Sequence, residues 1–310
     1  MLRTAVIFPG QGSQYVGMGK KIAAAFPEAR EIFTIASDAL NRDLGKLCFE
    51  GPEDELKQTK WTQPALLTTS YAVYRILGKE GFTPDAAAGH SLGEYTALVA
   101  AGALRFSDAV RLVHERGKLM EEAVPGGKGT MAAVLGVERE ILLELLGMLK
   151  NGVVEAANFN CPEQIVISGE TSAVTAAGEA VTKKGGKVIP LAVSGPFHSS
   201  LMKTAADKFH IFLDQTNFID AEIPVFSNAW AREVQKASEI RMALLEQLFS
   251  PVRWEDSIQI MMKSGIACFL EIGPKKILSG LVRKISPGAL ICNAEDPDSI
   301  QKMLAFLKEV

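Results

Sequence analysis

Gly89-His90-Ser91-Leu92-Gly93 carries the most definite chemistry in the chain. It fits G-x-S-x-G, in which a serine stands on a sharp turn between a strand and a helix. The two glycines suit a turn too tight for side chains. The helix behind the serine offers free N–H groups and its positive dipole end where an oxyanion would form. A helix-capping serine in a glycine-rich turn would give the same letters. The strand candidate before Ser91 and the helix candidate after it favour a nucleophile.

A serine hydroxyl needs a base. Of the four histidines, His90 adjoins the serine, and neighbours at a sharp turn point apart. His114 and His210 fall on predicted helices as surface or packing residues. His198 sits in Ser194-Gly195-Pro196-Phe197-His198-Ser199, a loop at a domain junction, where catalytic groups concentrate, and it is the chosen base. An α/β-hydrolase would place an Asp or Glu between the serine and the histidine. The acids in that interval fall on helices or in the middle segment, so a Ser91–His198 dyad held by a backbone or amide carbonyl is the simpler reading.

Arg116 shares a predicted helix face with Leu112, Val113, Leu119 and Met120. A guanidinium on an apolar face needs an anion, because an unpaired buried charge costs roughly 3–5 kcal/mol. A core carboxylate would serve, and so would a substrate carboxylate held by both arms of the fork. Near the N-terminus, Phe8-Pro9-Gly10-Gln11-Gly12-Ser13-Gln14 follows the first strand. It has neither GxxxxGK[ST] nor G-x-G-x-x-G spacing, so a phosphate cradle fails on detail. A second oxyanion donor beside the nucleophile loop fits better.

The elements that must position these residues alternate. Val6–Phe8 and Pro84–Gly89 read as strands, and Leu92–Ala101 as a helix. Pro64 takes the first position of a helix running through Lys79. The middle reads as strand Thr130–Gly136, helix Glu138–Lys150, strand Val153–Asn158, a turn at Asn160-Cys161-Pro162-Glu163, strand Gln164–Ser168, helix Thr171–Lys184 and strand Lys187–Val193. That order is β-α-β-β-α-β, the ferredoxin-like pattern. Alternation then resumes, with strands Ile223–Phe226 and Ile266–Ile272, a helix Lys275–Lys284 and a last helix capped by Asp296-Pro297. The fold expected is α/β: a parallel-sheet core of residues 1–125 and 198–310 with a ferredoxin-like α+β subdomain, 126–197, inserted.

Of the 310 residues, 47% are hydrophobic and 22% charged, enough for a sizeable core. A net charge of −3 gives no nucleic-acid footprint. No apolar run is long enough to span a bilayer, and the N-terminus lacks the pattern of a signal peptide. Cys48, Cys161, Cys268 and Cys292 are scattered, without metal-ligand spacing. A reduced cytoplasmic location, no metal, no cofactor and a monomer are expected.

With these residues in hand, the chain resembles the malonyl-CoA:acyl-carrier-protein transacylases nearly end to end. The resemblance is carried by Phe8-Pro9-Gly10-Gln11-Gly12-Ser13-Gln14, Thr62-Gln63-Pro64-Ala65, Gly89-His90-Ser91-Leu92-Gly93-Glu94-Tyr95, Arg116-Gly117, Gly195-Pro196-Phe197-His198, Glu246-Gln247-Leu248 and Glu271-Ile272-Gly273-Pro274. It implies a hydrolase-like core with a ferredoxin-like insert. It implies Ser91 as nucleophile, His198 as base, the N–H groups of Gln11 and Leu92 as oxyanion hole, and Arg116 as the clamp on a malonyl carboxylate. It further implies that the main-chain carbonyl of Gln247 orients His198, that Asn160 lines the cleft, and that Phe197 crowds an α-methyl group. The implied partners are malonyl-CoA and holo acyl carrier protein, in a ping-pong transfer feeding fatty acid synthesis. The carrier is acidic in this family, and Lys183, Lys184, Lys187, Lys275 and Lys276 are candidates to meet it. A serine thioesterase or esterase on the same dyad, or a transferase for another extender unit, is the alternative.

Overall fold

The computed structural model describes residues 2–193 and 195–309. Among them are ten strands: β1 (Thr4–Phe8), β2 (Ala86–Gly89), β3 (Gly129–Leu135), β4 (Val154–Cys161), β5 (Gln164–Glu170), β6 (Lys187–Pro190), β7 (Val225–Phe226), β8 (Glu233–Val234), β9 (Cys268–Ile272) and β10 (Leu290–Ala294). Six of them form one sheet, in the order β10-β9-β1-β2-β7-β8. Its neighbours are parallel except for the β7–β8 edge pair.

Every residue of β1, β2 and β9 is buried, so these strands read as near-continuous apolar or small-residue runs, broken in β9 by Glu271, which accepts from the Leu278 and Ser279 N–H groups. The two faces feed separate cores. Val6, Phe8 and Ala87 pack with the helices on one side, while Ala5, Ile7, Ala86 and Ala88 pack with Trp254, Ile258 and Leu278 on the other. The alanines of β2 make a poor strand by propensity, and it is burial between two helical layers that holds them extended.

The other four strands form an antiparallel sheet in the order β4-β5-β3-β6. The helices Arg139–Met148 and Thr171–Lys183 contribute Leu142, Leu146, Val174, Ala177 and Val181 to its core. Backbone bonds tie this sheet to the first. Val252 donates to the Ala157 carbonyl at 2.8 Å, and its own carbonyl accepts from Phe159 at 2.9 Å.

Several predicted boundaries move. Pro64 does not begin its helix but lies inside Thr59–Lys79. Proline cannot donate to the carbonyl four residues back, which belongs to Lys60. Nδ1 of His114 lies 2.9 Å from that carbonyl oxygen and supplies the missing donor, so the helix continues. The predicted turn at Asn160–Glu163 shrinks to Pro162-Glu163, because β4, with two register shifts, carries Asn160 and Cys161 in the sheet. β6 stops at Pro190, earlier than predicted. The helix after Gly273-Pro274 starts at Ile277. Ser194, the first residue of the predicted junction loop, lies outside the described residues.

Candidate active site

Ser91 follows the last residue of β2 and precedes the helix Leu92–Ala100. A Cβ on Gly89 would sit 1.9 Å from the Gly93 carbonyl carbon, and one on Gly93 would sit 2.0 Å from the Phe8 oxygen. Only hydrogen fits at either position, which is why the two glycines flank the serine. Ser91 itself is held at φ 51° and ψ −105°. That left-handed conformation is strained for a residue with a side chain and has to be held by its surroundings.

His198 reaches Ser91 from the opposite side of the cleft. Its Nε2 lies 2.8 Å from Ser91 Oγ, and its Nδ1 lies 2.8 Å from the main-chain oxygen of Gln247. A carbonyl only accepts, so Nδ1 carries the proton and Nε2 presents a lone pair to the hydroxyl. Gln247 is the last residue of the helix Ala237–Gln247, where carbonyls lack intrahelical donors. The helix end therefore does the orienting that a carboxylate does in a triad. His198 is 4% exposed. Burial, with the Arg116 guanidinium nearby, pushes its imidazole down to about 3, so the ring is neutral at physiological pH.

Arg116 lies on the helix Phe106–Glu122 and is 0% exposed, with Leu112, Val113, Leu119 and Met120 buried around it as the periodicity predicts. One terminal nitrogen donates to Ser91 Oγ at 3.1 Å and to Gln247 Oε1 at 2.8 Å. The guanidinium carbon sits 5.2 Å from the centre of the Tyr95 ring. Arg116 Nε has no hydrogen-bond partner among the described residues. No described carboxylate lies within ion-pair distance of Arg116; Glu94, joined to it through the Gln247 amide, acts on its charge from further off.

These groups face a cavity of about 520 Å³ lined by Gln11, Ser91, Leu92, Arg116, Phe197 and His198, among others. Gln11 comes from the loop after β1, the strand beside β2. A Cβ on Gly10 would lie 2.4 Å from the His90 oxygen, so this loop presses directly on the nucleophile loop. Leu92 opens its helix and has no intrahelical acceptor for its N–H. Larger grooves elsewhere, one of about 810 Å³ around Arg30, Asp38 and Arg42, hold no nucleophile–base pair. The arrangement can deprotonate a serine in a pocket bearing a fixed cation, the requirement for acyl transfer from an anionic acyl donor.

An acyl transferase domain model matches residues 5–286. The malonyl CoA-acyl carrier protein transacylase of Bacillus subtilis is 48% identical over 312 residues, spanning 100% of this chain and 98% of the relative. This chain belongs to the malonyl CoA-acyl carrier protein transacylase family. The Escherichia coli K12 member is 46% identical over 288 residues, covering 92% of this chain and 93% of its own. A malonyl-transacylase solved in complex with its type II PKS acyl-carrier protein superposes with a TM-score of 0.96 at 43% identity, covering 98% of this chain and 99% of that one.

Two expectations carried by the family resemblance sit differently in the structure. Asn160 does not line the cavity. Its Oδ1 lies 2.9 Å from His90 Nε2, and Asn158, on the same bulged strand, lines the cavity instead. Of the candidate lysines, Lys275 lines the cavity, with Nζ 3.0 Å from the Gly12 oxygen, whereas Lys183 borders a separate groove beside Val174 and Val188. Phe197 is buried against Met120, Met131 and Met202 as a wall of the cavity.

Three polar residues behind the site escaped the sequence reading. Glu94, Asn228 and the Gln247 side chain are buried together. Glu94 Oε2 accepts from the Asn228 N–H at 3.0 Å and from Gln247 Nε2 at 2.7 Å. Burial pushes the Glu94 carboxyl up to about 7, against those hydrogen bonds and the pull of Arg116. The available signal for Glu94 was its position, three residues after the serine on a helix otherwise apolar there. Nothing local marks Asn228.

Proposed function

We propose that this protein moves the malonyl group of malonyl-CoA to the phosphopantetheine thiol of acyl carrier protein, through a malonyl ester on Ser91. The observation that carries the reading is Arg116, a fully buried cation that forms no contact ion pair with a carboxylate among the described residues and is bonded to the hydroxyl that would be acylated. A free malonyl carboxylate in the cavity would supply the missing anion and present the thioester carbon to Ser91.

In the first half-reaction Ser91 Oγ attacks the thioester carbon and its proton passes to His198 Nε2. The N–H groups of Gln11 and Leu92 receive the oxyanion, each worth about 3–4 kcal/mol by the usual cost of deleting such a donor. The tetrahedral intermediate collapses, the C–S bond breaks, and His198 returns the proton to the coenzyme A sulfur. In the second half-reaction the carrier thiol gives its proton to His198 and attacks the malonyl ester, and Ser91 leaves with the proton restored. One site serves donor and acceptor in turn, so the kinetics are ping-pong. Phe197 closes the space beside the α-carbon, favouring malonyl over branched extenders. Asn160 serves the site by holding His90. The chain divides into residues 1–125 with 198–310 and an inserted 126–197, and the cleft between them admits the carrier arm beside Lys275. A cytoplasmic monomer feeding fatty acid synthesis fits this reading, and among the described residues no helix is long and apolar enough to cross a membrane.

The test is a mixture of the protein with malonyl-CoA and holo acyl carrier protein. Malonylated carrier should accumulate in step with released coenzyme A. Release of coenzyme A and free malonate, with the carrier unmodified, would make the protein a thioesterase instead.

A further inference from the structure

Asn228 follows β7, the strand next to β2, and lies 137 residues from the serine in sequence. It is 0% exposed and takes no part in lining the cavity. Its Oδ1 accepts the Ser91 N–H at 2.6 Å, and its Nδ2 donates to the Gly89 carbonyl at 2.8 Å. An N–H needs an acceptor and a carbonyl needs a donor, so the partners fix which way the amide faces. One carboxamide thus grips both sides of the strained turn. We propose that Asn228 is the positioning residue of the nucleophile: its side chain holds Ser91 in the left-handed conformation that aims Oγ at His198. This rests on Ser91 being the nucleophile.

The grip has two consequences. The Ser91 N–H is spent on Asn228, so any oxyanion must use the donors that remain, at Leu92 and Gln11. Nucleophile and base are also set from one block. The Asn228 N–H bonds Glu94, Glu94 bonds the Gln247 amide, that amide lies 3.0 Å from the Ser91 oxygen, and the Gln247 carbonyl holds His198. An aspartate at position 228 would keep the acceptor for Ser91 but turn lone pairs toward the Gly89 oxygen. Once protonated, its carboxylic acid would regain a donor there.

The experiment compares Asn228→Ala and Asn228→Asp with the wild type. It measures the single-turnover rate of Ser91 malonylation, KM for malonyl-CoA and thermal midpoint. Asn228→Ala should acylate roughly 100-fold more slowly, as expected for a misaimed group, with KM nearly unchanged. The ratio of Asn228→Asp to wild-type rate should be low at alkaline pH and rise on acidification, as the new carboxyl protonates. The charged and titratable groups around it are Glu94, Arg116 and His198, the last two reached through Gln247, and His90, between the two gripped residues, which turns its ring to Asn160. Arg253, whose N–H bonds the Asn228 carbonyl, turns its guanidinium to Asp256. Glu94, Arg116 and His198 are common to both proteins, so the ratio reports the new carboxyl together with its coupling to the adjacent Glu94. A wild-type rate in Asn228→Ala, or a pH-independent ratio for Asn228→Asp, would overturn the proposal. If the alanine variant fails to fold, the aspartate ratio decides. A Ser91→Ala control that still becomes acylated would instead refute the nucleophile assignment.

Discussion

His198 donates from Nδ1 to the main-chain carbonyl of Gln247 at 2.8 Å, while the side-chain amide of Gln247 bonds Arg116 through oxygen and Glu94 through nitrogen. His198, Arg116 and the buried carboxyl of Glu94 therefore meet at one residue at the end of a helix. A substitution that shortens this side chain disturbs Arg116 and Glu94, yet leaves the carbonyl in place. Gln247→Ala should weaken the response to the malonyl carboxylate more than it slows proton transfer. Steady-state kinetics would show this as a KM rise larger than the fall in kcat, and a pure kcat loss would contradict it.

His198→Ala removes the one group among the described residues that is positioned to take the Ser91 proton. Acylation should fall by about 10²–10⁴-fold, the usual worth of a positioned general base. Rapid-quench measurement of coenzyme A release checks this. The thermal midpoint should fall, because the ring leaves a cavity and the Gln247 carbonyl loses its donor.

His198 is held neutral down to about pH 3, so protonation of the base does not limit acylation at mildly acidic pH. The acid limb of the malonylation rate should lie well below the 6.5 of an ordinary histidine. The same shift acts on stability. The unfolded chain takes up a proton near 6.5 that the folded chain refuses, so this contribution is whole above that value and is lost as pH falls toward about 3. Rates taken by pH jump, before unfolding, should stay level through the range where free histidine titrates. A fall centred near 6.5 would count against the buried neutral base.

Glu94 acts in the opposite sense. Its carboxyl is raised from 4.5 to about 7, so its stabilising effect is present below 4.5 and is lost as pH rises through about 7. At roughly 1.4 kcal/mol per pKa unit, the loss is at most about 3.5 kcal/mol. Glu94→Gln should flatten the stability-versus-pH curve over that window in urea titrations. An unchanged slope would place the titration elsewhere.

Phe197→Ser opens the cavity wall beside Met131. The ratio of methylmalonyl to malonyl acylation should rise about tenfold or more, the scale set by one methyl group in an apolar pocket. Competition between the two thioesters, read by intact mass, measures it.

What was legible in the sequence divides along physical lines. Ser91 and its glycines were legible because a tight turn leaves a local signature, and the steric contacts at Gly89 and Gly93 account for it. Arg116 was legible as an anomaly on an apolar face. The choice between an internal salt bridge and an open clamp was not, since it depends on what packs opposite. Pro64 misled for the same reason. The proline stands inside the helix, and His114, from another helix, meets the carbonyl it leaves without a donor. Asn228 left no trace, because its hydrogen bonds span the gap between two strands adjacent in the sheet and far apart in sequence. Asn160 was placed in the cleft by resemblance, and the register shifts in β4 put Asn158 on the cavity instead.

The central claim is that Ser91 carries the acyl group and that Arg116 selects it by its carboxylate. The most direct measurement is the intact mass of the protein after brief exposure to malonyl-CoA or to acetyl-CoA, for the wild type and for Arg116→Ala. The account predicts a malonyl adduct on Ser91 in the wild type, little or none from acetyl-CoA, and loss of the malonyl adduct in the variant. Equal adducts from both thioesters, or a malonyl adduct that survives Arg116→Ala, would contradict it.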